Sequence, residues 1–411
     1  MLTDTRSGGM AVLLLLVSAL AGCGEDSPDR GNGPVDPPGT PPPPPQPPPP
    51  AGPTLSVVGG GNNVAERYTS DLWVHGGYGY TGTWGGLTRA GNGGDVVKIW
   101  RLDAGGLPAL ADSINVPDIG TVSDIEVSDD GAVLMFSAER LEGEGLYLYS
   151  LADPENPVPL DHVAVPAGLH TATFGVIGGR RYAFAAKNQP SPALLIYDVT
   201  DPSVVTQVAS KPIPANYGIH DTFVRDGIAF VFAWNTGVIT YDVGNGLRGG
   251  SPEAPAEISR IVTAANGVPG GDPATHNGWW FHNPVTGERR YLFVGQEGPG
   301  VIGSQASGDI HVLDVSDLSQ PREVAFFHLE GAGAHNFWMD EANQILYAAF
   351  YNGGVVALDV SGELQGDLAS RLISTVQPGG AGRTYTWGVQ LAGGSLYASD
   401  MVSGFWQLKL E

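Results

Sequence analysis

The sequence predicts an all-β fold, a seven-bladed β-propeller, and three observations lead to this prediction. Beyond residue 53, short runs of β-branched and aromatic residues alternate with Gly, Asn, Asp and Pro, and no sustained helical periodicity interrupts them. One such run recurs seven times at a regular interval. Each interval has room for four short strands, which is the content of one propeller blade.

The recurring run is apolar and leads into a turn. Its copies are VKIWR ending at Arg101, LYLYS at Ser150, LLIYD at Asp198, VITYD at Asp242, HVLD at Asp314, VALD at Asp359 and WQLK at Lys409. Successive copies lie 44 to 50 residues apart, except for one interval of 72 residues that indicates an insertion in the fifth unit. A β-solenoid repeats at much shorter periods, and two β-sandwiches would not share one period, so these alternatives are disfavoured.

The two ends of the predicted propeller are expected to meet. The last unit ends at Glu411 after its third strand, whereas TLSVVGG at residues 54–60 belongs to no unit. We expect this N-terminal stretch to supply the missing outer strand, which would close the ring and leave no open end. The propeller is therefore assigned to residues 54–411.

The N-terminus has the pattern of an export signal. MAVLLLLVSALAG at residues 10–22 is apolar, too short to span a bilayer, and ends in small residues. Cys23 follows, and it is the single cysteine of the chain. The segment LAGC is similar to the bacterial lipobox, which implies a lipoprotein signal peptide over residues 1–22 and lipidation of Cys23. A plain signal peptide with an incidental cysteine is the alternative.

A proline-rich segment separates the predicted anchor from the propeller. Thirteen of the twenty residues from Pro34 to Pro53 are proline, which favours polyproline II and excludes a packed core. We interpret residues 23–53 as a disordered spacer that holds the domain away from the membrane; an SH3-type ligand is the alternative. The expected localisation is the bacterial cell envelope. The outer membrane or cell surface is favoured because the residue after the cysteine is Gly24 and not the aspartate that is often associated with retention in the inner membrane.

The charge of the chain limits its partners. A formal net charge of -23 would repel phosphate backbones, so a nucleic-acid partner is not expected. We expect contact with the membrane through the lipid at Cys23, and we expect an envelope protein, a small molecule or a glycan as the partner of the propeller.

Several repeats resemble a known family. LLIYDVTDP, IHVLDVSD and VVALDVSG resemble the LVIVD repeat of bacterial surface proteins. Together with HD at 220, HNGWW at 276 and HNFW at 335, they make residues 65–411 similar to the choice-of-anchor B family. The resemblance implies a secreted or surface-anchored β-propeller, and it implies no reaction.

Aligned units place one residue of each blade at the start of its innermost strand. These residues are Ser70, Ser123, His170, His220, His276, His335 and Trp387. The second strand returns antiparallel to the same face, and its ends are Glu139, Lys187, Asn235, Glu297, Asn352 and Asp400. Four imidazoles and several carboxylates are therefore expected to meet at one mouth of the channel.

This cluster has two interpretations. Neutral imidazoles of His170, His220, His276 and His335, with Glu297 or Glu139, could hold one transition-metal ion with an open position. Alternatively, the histidines are structural and hydrogen-bond neighbouring blades. The other polar residues predicted at the mouth are Asp71, Asp124, Glu139, Asp221, Asn277, Asn336 and Asp400. Of these, Asp71 and Asp124 are candidates for orienting ligands or acting as general bases.

The sequence leaves the function open between three classes. The leading hypothesis is a cell-surface lipoprotein whose propeller binds a ligand or envelope partner at the channel mouth. The second is a metal-dependent oxidoreductase or hydrolase, and the third is a purely structural role for the histidines. No GxSxG nucleophile motif is present. Trp279, Trp280 and Trp338 could stack on a sugar ring or be buried between blades.

Overall fold

The structure is a computed structural model that describes residues 52–102, 105, 107–213, 218–265, 267–268 and 271–411. The predicted signal peptide, Cys23 and most of the predicted spacer lie outside the described residues. The described part is built from β-strands, with a single 3-10 turn at Ala369–Arg371. No helix within it has the length and apolar character needed to cross a membrane.

The strands are short and follow one another in regular order. Those of the first half are β1 (Leu55–Gly60), β2 (Tyr68–His75), β3 (Tyr78–Trp84), β4 (Val96–Leu102), β5 (Pro108–Asn115), β6 (Thr121–Val127), β7 (Val133–Glu139), β8 (Gly145–Ser150), β9 (Val158–Ala164), β10 (Leu169–Ile177), β11 (Arg180–Lys187), β12 (Ala193–Asp198) and β13 (Thr206–Pro212). Those of the second half are β14 (Asp221–Arg225), β15 (Ile228–Phe232), β16 (Val238–Asp242), β17 (Ala256–Ile261), β18 (Thr275–Phe281), β19 (Tyr291–Gln296), β20 (Ile310–Asp314), β21 (Arg322–Phe327), β22 (Phe337–Asp340), β23 (Ile345–Ala349), β24 (Val355–Asp359), β25 (Gly366–Asp367), β26 (Leu372–Val376), β27 (Thr386–Ala392), β28 (Ser395–Asp400) and β29 (Gly404–Leu410).

These strands form seven sheets within the described chain, and the predicted seven-bladed β-propeller is confirmed. Blades 1 to 4 are β2–β5, β6–β9, β10–β13 and β14–β17. Blade 5 is β18–β21 with the short β25 added in parallel, and blade 6 is β22, β23, β24 and β26. Blade 7 is β27–β29 with β1. The first strands of the blades contact one another in a closed ring from β2 through β27 and back to β2.

Blade 7 combines strands from both ends of the described chain. Strand β1 pairs antiparallel with β29, with Leu55 opposite Leu410 and Gly60 opposite Trp406. The backbones of Thr54 and Glu411 exchange two hydrogen bonds of 2.7 and 3.0 Å. Leu55 is buried in the same apolar cluster as Trp406, so the pairing also buries apolar surface.

Apolar side chains between neighbouring blades form the core. Phe293 and Val312 of blade 5 pack in one cluster with Phe350 and Leu358 of blade 6, and all four are fully buried. Similar clusters lie between other neighbouring blades. Burying one such side chain contributes about 1.5–3 kcal/mol to the free energy of folding. Because these clusters lie between blades, contacts between blades stabilise the ring.

An aspartate at the end of the third strand shapes the loop that follows it. In four blades its carboxylate accepts a hydrogen bond from the backbone N–H two residues later, which makes an Asx turn. The bonded pairs are Asp198 with Thr200, Asp242 with Gly244, Asp314 with Ser316 and Asp359 with Ser361. The aspartate that marks the repeat in the sequence is therefore a turn-forming residue.

Asp242 carries the largest of these turns and is the residue to test. Its carboxylate is fully buried and accepts five backbone N–H groups, from residues 244, 245, 246, 248 and 250. Burial raises the pKa of this carboxyl, but the five hydrogen bonds outweigh burial and lower the pKa to about 2.

We expect Asp242→Ala to lower the free energy of unfolding by about 2 kcal/mol or more at pH 7, because five donors lose a charged acceptor. Since the folded pKa lies below the unfolded value of about 3.8, the stabilisation is present above that value and is lost as the pH falls through about 2. Urea denaturation from pH 7 downward measures this loss. The control is Asp359→Ala, which removes the acceptor of one backbone N–H; equal effects of the two substitutions would contradict the prediction.

Candidate metal centre

A β-bulge near the start of the innermost strands determines what the channel contains. In blades 1, 2, 3 and 5 the register gains one residue, so that two consecutive residues oppose one residue of the second strand. The pairs are Ser70-Asp71, Ser123-Asp124, His170-Thr171 and His276-Asn277. In blade 4, His220 and Asp221 both face Phe232, and in blade 6, His335 and Asn336 both hydrogen-bond Ala349.

The bulge produces two tiers of side chains around the axis. We call the first residues of the pairs the histidine tier and the second residues the carboxyl tier. The histidine tier is Ser70, Ser123, His170, His220, His276 and His335, and the carboxyl tier is Asp71, Asp124, Thr171, Asp221, Asn277 and Asn336. In a regular strand, neighbouring side chains point to opposite faces, whereas a bulge re-aims one of them. Gly295, opposite the bulge of blade 5, makes room for it, because a Cβ there would lie 2.3 Å from the Asn277 side chain.

Three imidazoles of the histidine tier surround one buried carboxylate, Glu297. The Nε2 atoms of His220 and His276 lie 3.8 and 3.7 Å from its Oε2 atom, and Nε2 of His335 lies 4.0 Å from its Oε1 atom. These distances are too long for hydrogen bonds. Two ligands that share one tetrahedral zinc ion lie ~3.4 Å apart, and the ligand atoms of His276, His335 and Glu297 lie within 4.8 Å of one another, so a contraction of about 1 Å would bring these three residues into contact with one ion.

The hydrogen bond of the His335 imidazole leaves its inner nitrogen atom free. His335 donates from Nδ1 to the backbone carbonyl of Trp387 at 2.6 Å, so the neutral ring has its lone pair on Nε2, directed at Glu297. Among the described residues, Nδ1 of His220 and Nδ1 of His276 have no hydrogen-bond partner. A lone pair that faces a carboxylate is favourable when a cation lies between them.

The electrostatics keep these three imidazoles neutral. Burial lowers the pKa of His335 to about 3, although its hydrogen bond to Trp387 opposes the shift. Burial also lowers the pKa of His220 and the pKa of His276 well below the usual value, and the positive charge of His170 adds to both shifts. Neutral imidazole is the form that binds metal ions.

His170 differs from the other three histidines because it pairs with Glu139. Its Nδ1 atom hydrogen-bonds the Glu139 carboxylate, and its ring lies 4.6 Å from the His220 ring, centroid to centroid. Burial lowers the pKa of His170, but the attraction of Glu139 outweighs burial and raises the pKa to about 9. His170 is thus an imidazolium ion beside the cluster, and it is not one of the groups around Glu297.

Two aromatic residues that the sequence analysis missed complete the cluster. The Tyr351 hydroxyl donates to Oε1 of Glu297, and the Trp234 ring stacks on His220 with centroids 4.2 Å apart. Both have left-handed backbones, with φ of 39° and 48°. Strain of this kind clusters at functional sites. In the sequence, each of the two residues directly precedes an asparagine, in AWNTG and in FYNGG, and this shared position is the signal that could have identified them.

A pocket leads from solvent to Glu297. It has a volume of about 750 Å³ and is lined by Trp234, Glu297, His328 and Glu330, among others. His328 hydrogen-bonds Asp309 from Nδ1 at 2.6 Å. Of the residues in this cluster, Glu297 is the one whose side chain the pocket reaches from solvent together with the neighbouring Trp234.

The carboxyl tier lies deeper in the channel than the sequence analysis placed it. Its residues Asp71, Asp124, Asp221, Asn277 and Asn336 line a second cavity of about 780 Å³ and do not join the histidines at the mouth. The reason is the bulge, which sends the second residue of each pair further along the axis. Asn336 hydrogen-bonds Asp71 at 2.9 Å.

The remaining candidates have structural positions. Asp400 is fully buried and accepts hydrogen bonds from the backbones of Tyr385 and Ser403. Trp280 is buried in the cluster that packs blades 4 and 5 together, and its indole N–H donates to the carbonyl of Arg289. Trp279 and Trp338 line the second cavity.

Comparisons with known proteins agree with the fold. The family model of the LVIVD repeat matches residues 66–88. The β-propeller domain of Cps50 (Swd1) from Myceliophteria thermophila superposes with a TM-score of 0.55 and 13% identity, over 85% of this chain and 98% of that one. Sqt1 from Saccharomyces cerevisiae gives a TM-score of 0.53 and 8% identity, over 84% and 83%. No curated protein matches the sequence. Together, the repeat and the fold support an LVIVD-repeat β-propeller, and this fold suits the binding of a ligand or a protein.

We expect Glu139→Gln to remove the charge that keeps His170 protonated. In the wild-type protein the folded pKa of His170, about 9, exceeds the unfolded value of 6.5. The pair therefore stabilises fully below about pH 6.5 and loses its effect as the pH rises through about 9. At pH 6 the variant should lose about 3 kcal/mol in the free energy of unfolding, and less at pH 9.5.

Urea denaturation of metal-free protein at both pH values, with an NMR titration of the His170 ring, measures this effect. A wild-type His170 that titrates near its ordinary pKa, or a loss that is independent of pH, would contradict the assignment of an imidazolium–carboxylate pair.

Proposed function

We propose that this chain is a metal-binding β-propeller, with one divalent transition-metal ion held by His276, His335 and Glu297 and with His220 as a fourth ligand. The single observation that supports it is the set of three imidazole nitrogen atoms within 4.0 Å of one buried carboxylate without a hydrogen bond between them. The ligand atoms of His276, His335 and Glu297 lie within 4.8 Å of one another.

The donor set indicates which metals fit. Neutral imidazoles with one carboxylate suit Zn²⁺, Fe²⁺, Cu²⁺ or Ni²⁺, and they do not suit Ca²⁺ or Mg²⁺, which prefer oxygen ligands. Tyr351 orients the carboxylate by its hydrogen bond, and Trp387 fixes the His335 tautomer through its carbonyl. Such supporting contacts orient metal ligands in proteins.

The metal would serve a small substrate that enters through the pocket beside Glu297. A bound ion of this kind acts as a Lewis acid and activates water. The chain would bind the substrate between Trp234 and His328, at the wall of that pocket. The His170 imidazolium, 4.6 Å from the His220 ring, would attract an anionic group of the substrate and could donate a proton.

A metal-free binding protein is the second candidate function. The observation that favours it is the fold, since the solved structures similar to this chain are β-propellers and the LVIVD match carries no reaction. In this reading the channel mouth binds a ligand or an envelope protein, and the histidines pack between blades.

We further propose that the protein is exported, lipidated at Cys23 and attached to the cell envelope, as in the choice-of-anchor B resemblance. The apolar run before LAGC and the proline-rich segment after it support this proposal. Cys23→Ala should release the protein from the membrane fraction, because the acyl chains are lost. Fractionation of cells with and without the substitution measures this, and an unchanged membrane fraction would rule out a lipid anchor at Cys23.

The metal proposal is tested on the chain without its signal peptide and lipid, residues 24–411. After loading with Co²⁺ and dialysis, we expect about one bound ion per chain and a visible absorption band from nitrogen ligands. The double variant His276→Ala/His335→Ala should lose both the ion and the band. Elemental analysis and absorption spectroscopy measure these outcomes.

A histidine outside the channel provides the control. His162→Ala, on strand β9 of blade 2, should keep the full metal content because its ring stacks on Tyr147 away from Glu297. If the wild-type protein takes up no metal, or if the double variant keeps it and loses only thermal stability, the histidines are structural and the second candidate function stands.

A further inference from the structure

The second cavity, on the other side of the histidine tier, has features of a separate binding site. Its volume of about 780 Å³ is within the range of small-molecule sites. Its inner end is formed by the carboxyl tier, and its outer part by the ends of the innermost strands. One wall is aromatic and the other is acidic, which limits the chemistry of a ligand.

The aromatic wall is a continuous row of four rings. Phe223 contacts Trp279, Trp279 contacts Trp338, and Trp338 contacts Trp73, with ring centroids 5.2, 5.2 and 5.8 Å apart. The three tryptophans are only partly buried and line the cavity, so a ligand in it would contact their rings. Indole faces attract cations as well as apolar groups.

The acidic wall has no Lys or Arg partner, and its positive neighbour is the His170 imidazolium, whose charge acts on Asp124 and Asp221. Asp71, Asp124, Glu126 and Asp221 all line the cavity, and among the described residues none has a Lys or Arg nitrogen within ion-pair distance. The two arginines of the wall are engaged elsewhere. Arg181 pairs with Asp130 at 2.7 Å, and Arg225 forms a two-pronged contact with Glu341 at 2.5 and 3.1 Å.

Repulsion between these carboxyls is visible at Asp71. Burial and the nearby Asp124 carboxylate raise the pKa of Asp71 well above the usual value. Carboxyl groups held together without a cation have this property, and a positive ligand would relieve the repulsion.

We propose that this cavity binds an organic ammonium cation, with its charged nitrogen on the carboxyl tier and its apolar part against the row of tryptophans. The acidic wall repels anions, and a bare metal ion would leave the aromatic wall and most of the volume unused. The site is independent of the proposed metal centre, because its lining includes none of the residues assigned as metal ligands.

The test compares two probes of nearly equal shape on the chain of residues 24–411, at pH 8 and low salt. 2-Phenylethylamine is a cation there, and 2-phenylethanol is neutral. We expect the amine to bind at least about tenfold more tightly and to change tryptophan fluorescence, since ion pairing and cation–π contact require the charge. Calorimetry with a chelator present should give the same affinity, which separates this site from the metal centre.

Variants locate the binding. Asp124→Asn/Asp221→Asn keeps the side-chain shapes and removes two charges, and it should weaken amine binding at least about tenfold. The matched control is Asp161→Asn on strand β9, outside the cavity, which should bind the amine as the wild type does. The proposal is overturned by equal affinity for amine and alcohol, by no saturation at about 10 mM amine, or by unchanged binding in the double variant while circular dichroism shows that it is folded.

Discussion

The bulge at the start of the innermost strands is the constraint on which the chemistry of this channel depends. A regular strand would send the histidine and the following acid or amide to opposite faces. The bulge lets both residues of the pair approach the axis, one further along it than the other. The channel thus holds a nitrogen-rich tier and an oxygen-rich tier, which no alternating pattern could place next to each other.

The links between blades show which polar groups are structural. Hydroxyls form several of these links: Ser70 donates to the carbonyl of Val122, and Thr171 donates to the carbonyl of His220. The rings of His220 and His276 make no such bond among the described residues. Of the imidazoles around Glu297, His335 alone bonds a neighbouring blade, and that bond leaves its other nitrogen free. The ring of blades is held together without the nitrogen atoms that face Glu297.

The fold could be predicted from the sequence because a propeller repeats the same four-stranded arrangement in each of its seven blades. Spacing, strand patterning and the turn aspartates all reflect local interactions, so they recur in the sequence as they recur in the sheets. The gathering of His220, His276 and His335 with Glu297 also follows from the repeat. The separation of Asp221 from these histidines does not, because a bulge adds one residue without a fixed sequence signature. The same holds for Tyr351, whose left-handed backbone directs it to Glu297.

The environment of Glu297 supports the proposal of a cation bound in this tier. Burial raises the pKa of its carboxyl, and burial lowers the pKa of each facing imidazole, so a low-dielectric channel disfavours both charges. A single proton can satisfy only one contact of the carboxylate, and the distances of 3.7 to 4.0 Å are too long for it to bridge. In the proposed site, a metal ion would satisfy the lone pairs of His276 and His335 and the Glu297 carboxylate together. The unfavourable free energy of burying these groups would therefore be offset by the same ion that would give the channel a function.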